Sequence, residues 1–346
     1  MFDFLKRKQP YPPPETDRDT FLVWEPCSRN HAEVVPGFTK YLLDLGYRVS
    51  ILITPERIDE GLFSRFGKNE NVRLNRLPQK AIRALLLENG IGNAKGILIT
   101  TMTGKIDTGK IPLAQGQKIL RVSHDVKEDA AAIDEKTITL HRVDYNGLKT
   151  VIVNPHYFGD IAPAAKNSVV DFITVGALRG KRRNTAPLVR AVRKLVDANI
   201  RNFRITVVGK GGMRNLPREI KPYFNIRGRL DFSELYDHLG RADFYLPLLD
   251  PENPDHERYI TTGTSGSFQL IYGFRKPPLI AAKFAPLRGL NRRNSLVYED
   301  GSRLADAMAT AICMTPREYA AMQKELDEYA QELYRESLAN LAGSIG

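Results

Sequence analysis

Short apolar runs alternate with helical stripes along most of the chain. Residues 21–24 (FLVW) form a continuous apolar run of strand length. Val34, Val35, Phe38, Tyr41, Leu42 and Leu45 then recur at helical spacing, and Gly46 stands where such a helix stops. Residues 49–53 (VSILI) give the next strand. A strand, a helix and a second strand in this order imply a parallel pair with a crossover. The alternation continues with a helix at 81–88, strands at 97–100 and 119–122, and shorter strands at 137–140 and 150–153.

The pattern breaks at 154–168, where Asn154, Pro155, Gly159 and Pro163 precede a small polar run. It restarts with a strand at 172–175, a stripe through Leu188, Ala191, Val192, Leu195 and Val196, and a strand at 205–208 ending in Gly209. Strands at 224–226, 244–246 and 279–281 and helices at 235–239 and 267–274 follow, with a long Glu-rich amphipathic helix at 316–341. The expected architecture is α/β, with two Rossmann-like doubly wound domains facing an interdomain cleft. The first spans 1–160 and the second 161–346, the final helix being placed to fold back on the first. Ligands of such sheets bind at the carboxyl ends of the strands.

The length of 346 residues suits two domains at about 150 residues each. Only Cys27 and Cys313 are cysteines, which excludes a disulfide framework and a cysteine zinc cluster. No apolar run approaches the roughly 18 residues of a membrane span. The opening MFDFLKRKQPYPPPE lacks the apolar core of a secretory signal, so a cytoplasmic protein is expected. Phe2, Phe4, Leu5, Lys6, Arg7 and Lys8 read first as a disordered lead-in and second as a weak peripheral membrane contact.

Charge adds a location. Of the net +11, residues 166–303 carry +12, residues 1–165 carry +3, and residues 304–346 carry −4. The basic block points to an anionic partner, against the plainer alternative of a solvated basic surface.

Five segments are candidates for chemistry. Residues 104–110 (GKIDTGK) imitate a phosphate-binding loop, but Ile111 stands where Ser or Thr would hold magnesium and Pro112 follows. This reads as a chance match. No G-x-G-x-x-G follows the first strand, which speaks against a nicotinamide or flavin cofactor. Residues 171–184 (DFITVGALRGKRRN) end a strand at Gly176 and crowd Arg179, Lys181, Arg182 and Arg183 into the next loop. Such cations suit a diphosphate, or are a solvated loop. In residues 261–278, Ser265, Gly266 and Ser267 open a helix whose free N–H groups and dipole favour an anion; ordinary capping explains the serines equally well. His31 and Glu33 follow the first strand, with Asn30 and Glu33 also fitting a capping box. His124 and Asp125 follow the strand ILRV, where they suit sugar hydroxyls or proton transfer, or cap the next segment.

Residues 172–281 resemble the donor-binding domain of GT-B glycosyltransferases, near the large family 4 (group 1) set. The likeness runs through VGALRGKRRN, ITVVGKG, NIRGRLDFSELYDHLGRADFYLPL and TSGSFQLIYGFRKPPLI, and SRNHAEVVPGFTKYLLDLGYRVSILITP resembles the entry unit of the same fold. The resemblance implies a nucleotide-diphosphate sugar on the second domain and a glycan or lipid-linked acceptor on the first, in surface polysaccharide synthesis, without a metal. Lys181 matches the diphosphate Lys. The usual Arg falls at Ala177, with Arg179 nearby as a substitute. Gly176 and Gly209 end the donor-side strands, and Ile226 and Arg227 open the base-binding turn. The E-x7-E motif is missing, with Gln269 near its second Glu and Thr261 or Thr262 near its first. His124 matches a His that touches the donor sugar. His31, Glu33 and Asp125 are candidates for a base. Two rival readings stand beside this one: a nucleic-acid-binding protein, suggested by charge alone, and a non-catalytic sugar-nucleotide-binding protein.

Overall fold

The computed structural model describes residues 11–27, 31–103, 107–143, 145–178, 182–211, 213 and 216–346. In the first half, β1 (Thr20–Trp24), β2 (Arg48–Ile53), β3 (Val72–Arg76), β4 (Gly96–Ile99), β5 (Lys118–Ser123), β6 (Ile138–Thr139) and β7 (Val151–Ile152) pair throughout in parallel. Their order is β3-β2-β1-β4-β5-β6-β7, so the winding reverses between β1 and β4. Side chains of β1 alternate between faces, as the two-residue period requires. Phe21 and Val23 join the core under α1 (Val35–Asp44), against which α2 (Pro55–Asp59) sets Ile58, while Leu22 and Trp24 join the opposite core under α3 (Gln79–Asn89), which supplies Ile82, Leu85 and Leu86. Both faces are covered, which is why β1 reads as an uninterrupted apolar run.

The second half repeats the plan. Its four-stranded sheet has the order β10-β9-β8-β11, from β8 (Val170–Val175), β9 (Phe203–Val208), β10 (Phe224–Gly228) and β11 (Phe244–Tyr245). A parallel bridge from Tyr245 to Pro278 continues it toward the pair β12 (Leu279–Ala281) and β13 (Leu296–Tyr298). The winding reverses here between β8 and β11. The helices are α4 (Ala186–Asp197), α5 (Phe232–Arg241), the single turn α6 (Arg258–Thr261), α7 (Ser267–Phe274), α8 (Leu304–Cys313) and α9 (Pro316–Ile345). Thr315 caps α9 with Glu318 in a reciprocal box.

Helix α9 serves both halves. Tyr319, Met322, Leu326 and Ala330 lie in the second core, whereas Leu341 and Ile345 lie in the first. Ser337 Oγ accepts the Asn154 N–H at 2.9 Å, and Tyr334 donates to Asp44 at 2.5 Å. Gly273 on α7 lets the 156–158 segment approach; a Cβ there would lie 2.4 Å from the His156 carbonyl oxygen.

Among the described residues, the pattern misses α2, β3, α6, β13 and α8. Helix α2 (PERID) and strand β3 (VRLNR) carry polar positions where a buried element would be apolar. The single turn α6 and the three-residue β13 (LVY) are too short to show a period. Helix α8, LADAMATAIC, is carried by small residues whose stripe is faint. The residues 104–106 of the phosphate-loop imitation lie outside the described set. Asp107 caps a 3-10 turn at Thr108–Lys110, and Ile111 is extended and buried, so no helix follows. Among the described residues no helix is long and apolar enough to cross a membrane. The N-terminal segment 1–10 lies outside them.

Candidate functional site

The carboxyl ends of the two sheets face one another. On the first side, β1 runs straight into Glu25, whose side chain is fully buried. Its carboxylate accepts from the Thr100 hydroxyl, from Thr101 Oγ1 at 2.9 Å and from the Cys27 N–H at 2.5 Å. Burial pushes this carboxyl up to about 7, against the pull of those three donors. The threonines close β4, so Glu25 ties the two strands that flank the winding reversal.

Thr101 connects this carboxyl to His124, its Oγ1 lying 3.4 Å from Nε2. The same Nε2 lies 2.9 Å from the Thr100 carbonyl oxygen. A carbonyl only accepts, so Nε2 carries the proton. Burial and the neighbouring His31 hold His124 far below the usual imidazole range, and it is neutral. The His31 ring lies against it, with centroids 4.0 Å apart and planes at 41°. His31 has φ of 70°, a left-handed conformation that costs a non-glycine residue. It opens a 3-10 turn, Ala32–Val34, that leads into α1, and Pro36 in the first turn of α1 accounts for this irregular entry. Burial lowers the His31 imidazole; Glu33 opposes this and Arg182 reinforces it. Asn30, the other half of the suggested capping box, lies outside the described residues.

Asp125 is committed elsewhere. It pairs with Arg258 at 2.5 Å, accepts the Lys127 N–H at 3.0 Å, and forms an antiparallel bridge with Gly263. Thr264 N–H donates to the His124 carbonyl at 2.9 Å and Val126 N–H to Thr262 at 2.9 Å. His141 reaches the Gly263 carbonyl with Nε2 at 2.9 Å, and burial brings its imidazole down to about 3. These contacts clamp the 124–126 loop of one half to the 262–264 loop of the other.

On the second side, α7 begins after Gly266 with no side-chain cap on that residue. Ser265 and Ser267 flank it, both buried. The Arg183 guanidinium donates to Ser265 Oγ at 3.2 Å, Ser267 Oγ at 2.7 Å and the Val175 carbonyl at 3.3 Å. Glu33 faces this turn from across the cleft: a Cβ on Gly266 would lie 2.8 Å from its Oε1. Gly176 has φ of 133°, and a Cβ there would lie 3.2 Å from Arg183 Nη2. Gly209, with φ of 140°, lies so close to Gly176 that a Cβ would stand 1.8 Å from its carbonyl oxygen. The Gly209 N–H donates to Gly228 at 2.7 Å, next to the exposed Ile226 and Arg227. A continuous lip thus runs from Ser265 through Gly176 and Gly209 to Ile226.

The structure therefore brings His31, Glu33, His124 and Asp125 to the edge that meets Ser265, Gly266 and Ser267. Arg179 and Lys181 lie outside the described residues. Gln269 lies inside α7, fully buried, with neither amide atom hydrogen-bonded. Sequence reasoning missed Glu25, Thr100, Thr101 and Arg258. A carboxylate placed directly after FLVW was the available signal for Glu25. Among the described residues, no group of three or more His, Cys, Asp or Glu is arranged to hold a metal ion.

Comparison with solved structures places the fold. A glycosyltransferase from Rickettsia africae matches 95% of this chain and 98% of its own, with TM-score 0.55 and 13% identity. Anabaena HepE, in complex with UDP and glucose, matches 94% and 98%, with TM-score 0.56 and 12% identity. AviGT4, a glycosyltransferase involved in avilamycin A biosynthesis, matches 92% and 98%, with TM-score 0.51 and 13% identity. No family model and no curated protein matches the sequence. At these identities the likeness establishes the fold, which is GT-B, as the sequence resemblance implies.

Proposed function

We propose that the protein is a glycosyltransferase that moves a sugar from a nucleotide-diphosphate donor to a glycan or lipid-linked acceptor, in building a surface polysaccharide. The observation that carries the reading is the meeting of an anion-ready helix start with a His- and carboxylate-lined edge across the cleft of a GT-B fold. The lip from Ser265 to Ile226 suits a donor laid along it, with the diphosphate at α7 and the base at Ile226 and Arg227. The complex of HepE with UDP makes UDP the first nucleotide to try.

Cations and the α7 dipole would stabilise charge developing on the leaving diphosphate. Arg179 and Lys181, as the resemblance implies, join them, and no metal is required. His31 takes the acceptor proton: its lowered imidazole is neutral at pH 7, and the His124 ring beside it fixes its plane. Glu33 balances the imidazolium that forms. His124 orients rather than transfers, because its Nε2 proton is held by Thr100.

The test is a thermal-shift panel of UDP-, GDP-, TDP-, ADP- and CMP-sugars, followed by assay of nucleotide release with glycan acceptors. A shift with one nucleotide class, and release that depends on acceptor, is the expected result. No shift with any sugar nucleotide overturns the reading. A shift without turnover on any acceptor leaves a sugar-nucleotide-binding protein instead.

A further inference from the structure

We infer that Glu25 is a positioning residue for His124: through the Thr100 and Thr101 hydroxyls it keeps that imidazole in its Nε2–H form, so that the free Nδ1 receives the O–H of a ligand hydroxyl. The inference deepens the proposed function and rests on it for that hydroxyl belonging to a sugar. A carboxylate only accepts, whereas a hydroxyl has one proton to give. Thr100 and Thr101 both reach the same oxygen of Glu25, Oε2, the second at 2.9 Å. Glu25 Oε1 takes the Cys27 N–H at 2.5 Å. The single proton of Thr101 is thus committed to Glu25, and its Oγ1 turns only lone pairs to His124 Nε2 at 3.4 Å. The Thr100 carbonyl, 2.9 Å from the same nitrogen, also only accepts. Nε2 therefore faces two acceptors and no donor. A neutral imidazole has one N–H, so Nδ1 carries the lone pair.

The chain leaves that lone pair unused. Among the described residues Nδ1 of His124 has no hydrogen-bond partner, and the ring is half-buried at the cleft edge. The His31 ring, with its centroid 4.0 Å away, fixes the plane of the imidazole. Burial and His31 keep His124 neutral, so Nδ1 stays an acceptor. Such a nitrogen takes a hydroxyl and turns away groups that bring only lone pairs, such as an ether.

Protonation of Glu25, which burial and the Glu33 carboxylate favour, leaves the arrangement intact. Thr100 Oγ1 also has the Trp24 carbonyl at 3.2 Å. Thr100 can accept the carboxyl proton and turn its own to Trp24, while Thr101 goes on donating to Oε2. A Gln amide copies the charge of the neutral acid but not this behaviour, because its nitrogen donates twice and accepts nothing. Set against the Cys27 N–H it would oppose donor to donor, so it must face the two threonines, whose hydroxyls rotate. Thr101 then receives a proton, and the other partner that its hydroxyl has among the described residues is His124 Nε2. The Thr100 carbonyl loses its donor, and an under-satisfied carbonyl is more tolerable than an orphaned donor.

Nitrogen NMR of the imidazoles in the full chain tests this, with His124 assigned from a His124→Gln spectrum and melting curves to confirm folding. Protonated and bare ring nitrogens resonate far apart, so each histidine reveals its proton form. Wild-type His124 should have Nε2 protonated and Nδ1 bare. Glu25→Gln should bring in the Nδ1–H form. Thr101→Val alone should keep the wild-type form, and Glu25→Gln combined with Thr101→Val should restore it, a rescue that a merely structural role does not produce. Sugar nucleotides of the panel are then added one at a time. The one that binds should shift the Nδ1 resonance, and the same nucleotide without its sugar should not. Glu25→Gln should weaken that sugar nucleotide about three- to tenfold, the usual worth of one neutral hydrogen bond, and leave the bare nucleotide unaffected. An Nδ1–H form in the wild type overturns the inference, as does an unchanged Glu25→Gln spectrum or a double variant that is not restored. A sugar nucleotide that binds without moving Nδ1 also overturns it. The expected proton forms with no response to any sugar nucleotide keep Glu25 in its role as the holder of His124 and overturn the transferase reading instead.

Discussion

Glu25 holds a carboxyl group where water does not reach, and its three donors only partly offset the burial. The group binds its proton more tightly in the folded chain than in the unfolded one. Between pH 4.5 and about 7 the folded state carries a proton that the unfolded state lacks, so stability falls as pH rises through that window. The shift from 4.5 to about 7 corresponds to about 3 kcal/mol. Glu25→Gln mimics the neutral acid and should be more stable than wild type at pH 8, by about 2 kcal/mol, with little difference at pH 5. Urea unfolding at the two pH values measures this. His31 titrates in the opposite sense, since burial disfavours its charged form. In the proposed role of proton acceptor it should give kcat/KM an acid limb below pH 6.5, with activity rising as pH rises. His31→Gln should lower kcat at least a hundredfold and abolish that limb, the usual range for a lost general base. The identity of the edge residues His31, His124 and Asp125 was legible because each follows an apolar strand. Their division of labour was not. That Asp125 is tied to Arg258 depends on residues 133 positions apart meeting across the cleft, which no local pattern encodes.

At the scale of elements, the strands and helices buried on one clear face were legible, because burial writes itself as runs and stripes. The strands β1 and β8 and helix α4 are of this kind. The edge strand β3 and the small-residue helix α8 were not, since their burial is partial or their side chains small. The close approach of β8 to β9 at Gly176 and Gly209 is also silent in the pattern. Gly209→Ala should cost about 3 kcal/mol or more, because a Cβ would stand 1.8 Å from the Gly176 carbonyl and φ is 140°. Thermal unfolding reads the cost, and nucleotide affinity should fall with it if the lip shifts. Leu341→Ala on α9 should cost about 2–5 kcal/mol, as for other large-to-small changes in a core. Its effect should appear as faster exchange of amides in the first half, although residue 341 follows the second half in sequence.

Across the whole molecule, the two halves are held by contacts of unequal worth. The Arg65–Asp237 and Arg229–Glu60 pairs are solvent-washed, and pairs of that kind contribute about 0–1 kcal/mol. In the Arg258 pair Asp125 is 7% exposed and Arg258 29%, so losing Asp125 costs more than losing a surface pair and less than the about 3–5 kcal/mol of a fully buried one. Asp125→Asn should therefore loosen the halves, seen as a larger radius of gyration in solution scattering, whereas Asp237→Asn should leave it unchanged. The two-domain α/β architecture was legible from the repeated alternation, and the basic block fell on the half that carries Arg183 and Ser267. The mutual grip of the halves was not, because it is built from loops. The position of α9 has a consequence for how the protein is made. The first half is synthesised early, yet two of its core residues, Leu341 and Ile345, come with the last turns of α9. Translation must pass residue 345 before that half can close its core. Until then it leaves the ribosome with an apolar furrow open, a natural foothold for a chaperone. A chimera that exchanges second halves should accordingly keep the final turns of α9 with the first half they seal.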